Sequence, residues 1–221
     1  IVGFRQPSGG RIVHRGHGVR LASPADAAAR GIVLLPEKRS EKGLIERLSV
    51  RVNLALPSLR RFSRLGVIQG RREHRAAQEM VERLRIATPH LGFRVGNLSG
   101  GNKQKVAFGK WLMACERPEG MVFLFDEPTE GVDVGTKAEM WAIIRGLARD
   151  GAGVVVASSE LDELFHLSDR IYVLRAGRVV ACVRTSETTQ DDLLHMMLVE
   201  HEPPETRRAA VERQPSTRPS L

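Results

Sequence analysis

Residues 98–104 read Leu98-Ser99-Gly100-Gly101-Asn102-Lys103-Gln104, and residues 123–129 read Phe123-Leu124-Phe125-Asp126-Glu127-Pro128-Thr129. These two stretches decide the fold. In the first, Ser99 is a helix N-cap, with the helix expected to begin at about Asn102. Gly100 and Gly101 carry no side chains, so backbone N–H groups approach an anion closely, and the helix dipole points its positive end the same way. The second is an apolar strand ending in two acids. Ligands of parallel α/β sheets gather at the carboxyl ends of strands, where Asp126 and Glu127 stand. Taken singly, a Ser-Gly-Gly turn is common, and so is an Asp-Glu-Pro helix start after a core strand. Their order and spacing together are specific.

Working outward, strands alternate with helices. Ile12 and Val13 form a short strand between glycine turns. Ser23-Pro24-Ala25-Asp26 starts a helix with Ser as cap and Pro at the first helical position, and Gly31 ends it. Ile32 to Leu35 is a buried strand stopped by Pro36. The stretch from about 50 to 91 reads as helical. Within it Ala76, Ala77, Met80, Val81 and Leu84 recur on one face. Met121 to Phe125 and Gly153 to Ala157 are buried strands, each followed by a helix (137–149 and 161–167). Ile171 to Leu174 and Val179 to Cys182 make a hairpin around Ala176-Gly177. The pattern predicts an α/β fold with a mostly parallel sheet covered by helices on both faces. Residues 201–221 hold Pro, Glu, Arg, Ser and Thr with almost nothing apolar, and are expected to be a disordered tail.

Bulk properties narrow the function classes. The 221 residues are enough for one domain with a real core, and the net charge of +8 suits a polyanionic partner. A solvated arginine-rich surface gives the same balance. Aromatics are only 5% of the chain, which argues against base-stacking platforms. Cys115 and Cys182 have no CxxC partner, so no zinc knuckle is present. His14 and His17 flank a turn and form no metal motif. No apolar run reaches the length of a membrane span.

In this order and spacing, residues 98–104 and 123–129 resemble the signature and Walker B motifs of ABC ATPases. Glu130-Gly131-Val132-Asp133 sits at the family's D-loop, and Ser158-Ser159-Glu160 where a switch histidine is expected. Gly31-Ile-Val-Leu-Leu-Pro36-Glu37-Lys38-Arg39 adds the flavour of one subfamily. It is similar to the C-terminal nucleotide-binding half of ribose-, xylose- and galactoside-type sugar importers. The resemblance covers about residues 5 to 198. It implies a P-loop NTPase-like domain over 1–200 with a helical subdomain at about 44–100.

The resemblance assigns roles residue by residue. Asp126 holds Mg²⁺, and Glu127 polarises the attacking water, with Ser159 beside it as the second catalytic position. Ser99, Gly100, Gly101, Asn102, Gln104, Asp133 and Glu37 are the nucleotide-binding set, and ATP and Mg²⁺ the cofactors. The implied partners are a second nucleotide-binding half, fused or separate, and membrane-spanning permease subunits. The implied place is the cytoplasmic face of a bacterial plasma membrane, with no nucleic acid bound. In the family each signature contacts ATP held by the opposite half, so Ser99, Gly100 and Gly101 complete a site whose phosphate loop lies on the partner.

Three departures bear on activity. The 221 residues contain no Gly-x-x-x-x-Gly-Lys-Ser/Thr. Ile1 to Phe4 matches the end of the helix after that loop, so the central Walker A strand is expected to be missing, with an open place beside the Walker B strand and poor stability of the chain alone. Glu37 replaces the usual Q-loop Gln. Ser159 replaces the switch histidine, and a hydroxyl takes no proton near pH 7. Two alternatives stay open: a non-catalytic truncated remnant, and a soluble ABC ATPase of DNA repair or translation.

Overall fold

The computed structural model describes residues 1–36, 43–115 and 118–198. It divides into two compact units, Ile1–Leu167 and one from Ser168 onward.

The first unit is built on a three-stranded parallel sheet. Its strands are β3 (Ile32–Leu35), β6 (Val122–Asp126) and β7 (Gly153–Ala157), with β6 in the centre. Val33 pairs with Phe123, and Phe125 with Val156. Alternation along the strands sends successive side chains to opposite faces. Val33, Leu35, Phe123 and Phe125 enter the larger core. Ile32 and Leu124 enter a smaller one with Val2, Leu21 and Ala27.

Helices cover both faces. On the larger core lie α5 (Gly100–Ala114) and α6 (Val134–Arg149), through Val106, Phe108, Met140 and Ile144. On the smaller core lie α1 (Pro24–Ala29) and a hairpin of β1 (Ile12–His14) and β2 (His17–Val19). Ser23 caps α1 as its sequence predicts, accepting from Asp26 N at 3.2 Å. The helix after β7 is α7 (Leu161–Leu167).

The place beside the Walker B strand that the sequence reading left open is filled. β6 pairs on one side with β3 and on the other with β7. The bare surface lies at β7 instead, where Val155 is 52% exposed although the strand reads Gly-Val-Val-Val-Ala.

The stretch between β3 and α5 carries α2 (Val50–Ala55), α3 (Leu59–Phe62) and α4 (Gly70–Arg83). Leu54, Ala77, Met80 and Leu84 share the larger core with the sheet. A Cβ on Gly109 of α5 would lie 2.7 Å from Leu54 and 2.9 Å from Leu84, so the missing side chain lets three helical segments converge. The reading of this stretch as helical missed one element. β4 (Ser63–Arg64) and β5 (Val67–Ile68) form a hairpin. Its turn places Leu65 at φ 51° and Gly66 at φ 81°, the two left-handed positions that a tight hairpin turn requires.

In the second unit β8 (Arg170–Arg175) and β9 (Arg178–Arg184) pair antiparallel, as the Ala176-Gly177 turn predicts. It also holds α8 (Gln190–Leu198), which the sequence reading did not separate out. The expected tail, 201–221, lies outside the described residues. Among the described residues no helix is long and apolar enough to cross a membrane.

Candidate nucleotide site

The glycine turn is a capped, exposed helix start. α5 begins at Gly100, two residues before the expected position, with Ser99 as N-cap. Ser99 Oγ accepts from Asn102 N at 3.4 Å and from Asn102 Nδ2 at 2.9 Å. A hydroxyl has two acceptor positions and one proton. With both acceptor positions used, the Ser99 proton remains to donate. Asn102 Oδ1 accepts from Ala87 N at 2.7 Å, so this amide is a brace between the cap and the preceding loop. Gln104 departs from its nucleotide-binding expectation: it is 2% exposed, turned into the protein one helical turn beyond the cap.

The same turn packs on the start of α6. A Cβ on Gly101 would fall 2.6 Å from Thr136 Cγ2, whereas one on Gly100 would meet only Gly131 O, at 3.6 Å. Gly101 is therefore required by packing, and Gly100 leaves an open approach. Asp133 caps α6. Its carboxylate accepts from Thr136 N at 3.0 Å and Thr136 Oγ1 at 2.7 Å. The Thr136 backbone N–H, then its hydroxyl, hold the Asp133 carboxyl below the usual carboxylate range.

The acidic pair stands at the carboxyl end of the central strand. Asp126 ends β6 opposite Ala157. Glu127 N donates to Ala157 O at 2.8 Å, continuing the ladder one residue past the strand. Its φ of 47° is left-handed, which costs a non-glycine residue roughly 1–3 kcal/mol. That turn aims the carboxylate at the β7–α7 loop. Ser159 N donates to Glu127 Oε1 at 2.8 Å and Ser159 Oγ to Oε2 at 3.2 Å, with Ser158 Oγ at 3.4 Å.

Supporting residues that the sequence reading missed surround this pair. Thr129 Oγ1 donates to Glu163 Oε1 at 2.8 Å, and Trp141 Nε1 to the same oxygen at 3.1 Å. All of this is buried or partly buried, so Glu163 ties the loop after β6 to α6 and α7. Lys137 Nζ donates to Glu160 Oε1 at 2.7 Å. The available signal was helical spacing: Lys137 and Trp141 stand four apart on α6, facing Glu160 and Glu163 three apart.

Glu37 lies outside the described residues. Among the described residues no three His, Cys, Asp or Glu side chains form a metal cage. Asp126 as a single carboxylate at a strand end fits Mg²⁺ that arrives with phosphate oxygens and keeps several waters, not a resident protein-only site.

Strand order, capped helix and acidic pair together define the fold of an ATP-binding cassette. Solved structures agree. A nucleotide-free ATP-binding cassette from an ABC transporter superposes with a TM-score of 0.72 at 20% identity, covering 90% of this chain and 81% of that one. A cassette in a dimeric post-hydrolysis state bound to ADP and Pi gives 0.68 at 22% identity, covering 84% and 77%.

By sequence the chain is similar to ATP-binding proteins of sugar import. It is 41% identical over 194 residues to the ribose import ATP-binding protein RbsA of Pseudomonas putida, covering 88% of this chain and 37% of that protein. The putative ribose/galactose/methyl galactoside import ATP-binding protein 3 of Burkholderia cenocepacia is 42% identical, with the same coverage. The arabinose import ATP-binding protein AraG of Pseudomonas fluorescens is 40% identical, covering 91% of this chain and 38% of that protein. The chain thus spans a little over a third of the length of the curated relatives it matches. No family model matches it.

Proposed function

We propose that the chain is an ATP-binding component of an ABC-type sugar importer, and that its Ser99–Gly101 turn completes an ATP site with a second nucleotide-binding half. The observation that carries this reading is the exposed Ser99 cap at the start of α5, whose hydroxyl accepts two bonds and keeps its one proton to donate. The names of the relatives support the sugar-import context.

The chemistry follows from the geometry. The uncapped N–H groups of the first turn of α5 and the helix dipole favour the γ-phosphate of ATP held by the opposite half. Asp126 is placed to hold Mg²⁺, which would neutralise charge on the phosphates. Glu127 is the candidate to polarise an attacking water, and Ser158 and Ser159 hold its carboxylate in place. Such a site works by positioning and electrostatics, since phosphoryl transfer needs little covalent help from protein. Closure of the two halves on ATP, and reopening after hydrolysis, would drive permease subunits at the cytoplasmic face of the membrane.

Gly100→Asp tests the reading. The position has room for a side chain but faces the proposed phosphate, where a carboxylate repels. With a partner half that carries a phosphate loop, ATP turnover should fall at least about tenfold while thermal melting stays unchanged. Unchanged turnover would overturn the reading.

A further inference from the structure

The β4–β5 hairpin presents an apolar tip backed by arginines, a combination that neither the nucleotide site nor the core uses. Leu65 is 98% exposed, Val67 70% and Ile68 48%. Leu65 sits at φ 51°, a left-handed conformation that favours Gly or Asn over a branched apolar residue. Local stability therefore gives no reason for leucine at the tip, and neither does packing.

Charge accompanies the tip. Residues 59–75 contain six arginines and one acid, Glu73. Glu73 is buried and lies 3.7 Å from Arg51. Arg61 donates to Met113 O, and Arg72 to Gln69. The remaining four, Arg60, Arg64, Arg71 and Arg75, are exposed, and among the described residues none forms an ion pair. An open trough that begins at Gly70, two residues after the hairpin, is lined by Arg51, Arg71, His74, Arg75 and Glu79.

We infer that this hairpin and the arginines behind it dock on an anionic phospholipid surface. Branched apolar side chains enter the boundary between headgroups and acyl chains, while neighbouring guanidinium groups pair with phosphates. Nucleic acid offers the phosphates but no apolar layer for Leu65, Val67 and Ile68. The inference rests on surface composition alone and stands apart from nucleotide chemistry at Ser99.

Flotation with vesicles of phosphatidylcholine, with and without phosphatidylglycerol, tests it on the full chain. Binding should require phosphatidylglycerol and weaken with salt. The triple variant Arg60→Gln, Arg64→Gln, Arg71→Gln should bind roughly a hundredfold more weakly, about fivefold for each arginine. Leu65→Asn with Val67→Ser should also weaken binding, and asparagine suits the turn's left-handed backbone, so folding is not put at risk. Arg11→Gln, Arg149→Gln, Arg178→Gln removes the same charge elsewhere and should leave binding within a few-fold. Equal losses in both arginine triples would show non-specific attraction and overturn the inference. So would binding without phosphatidylglycerol, or arginine-dependent binding of duplex DNA in preference to vesicles.

Discussion

The backbone N–H of Ser159 donates to the Glu127 carboxylate at 2.8 Å, so the residue standing at the switch-histidine position holds the candidate catalytic glutamate directly. The hydroxyl of Ser159 adds a second bond to the other carboxylate oxygen at 3.2 Å. The bond that matters most comes from the backbone, which any residue at 159 except proline supplies.

Glu127→Gln should keep the fold, because an amide oxygen still accepts from Ser159 N. Glu127→Ala removes the acceptor of an exposed donor, which water then hydrates, and should cost about 0.5–1.5 kcal/mol in urea denaturation, the net worth of one such hydrogen bond. Equal stability of the two variants would show that the Ser159 contact contributes nothing.

The sheet and both motifs were legible in the sequence because periodicity and punctuation mark them. Ile32–Leu35 and Val122 to Phe125 are unbroken apolar runs, and Ser23 and Ser99 precede helices as caps. The hairpin at 63–68 was not legible. Its strands are two residues each, below any periodic signal, and its turn uses leucine where Asn or Gly would announce it. Gln104 was carried over by resemblance, and the helix turns it inward, which motif spacing alone does not reveal. The Glu163 bridge to Thr129 and Trp141 joins three separate elements, and only the packed fold brings them together.

Gly101→Ala should destabilise the chain by about 1–3 kcal/mol through overpacking against Thr136. Thr136 cannot turn away freely, since its hydroxyl is bonded to Asp133. Adding Thr136→Ser removes the methyl and keeps that bond, so the double variant should recover part of the loss. A double-mutant cycle by chemical denaturation reads this coupling, and strict additivity would contradict it.

The Asp133 cap gives a pH signature. Its folded carboxyl lies below the ordinary value because Thr136 bonds the charged form. The stabilisation is therefore fully present above an unfolded value of about 3.9 and lost as pH falls through the lower folded value. Asp133→Ala should be less stable than the parent at neutral pH, and the gap should narrow below about pH 4. Thermal melts across that range measure it, and a gap that widens on acidification would contradict it.

The two thiols should separate chemically. Burial pushes the Cys115 thiol up to about 11, and Cys182 is exposed. Only thiolate reacts with alkylating agents. Iodoacetamide at mildly alkaline pH should modify Cys182 and leave Cys115 until the chain is unfolded. Mass spectrometry of tryptic peptides reads the order, and simultaneous modification would show that Cys115 is not shielded.

The most direct measurement is photocrosslinking with an ATP analogue that carries its reactive group on the γ-phosphate, applied to the chain assembled with a phosphate-loop-bearing half. Label on the peptide containing Ser99 is the predicted result, lost in Gly100→Asp. Label confined to the partner, with none near the start of α5, would show that this glycine turn does not face the triphosphate.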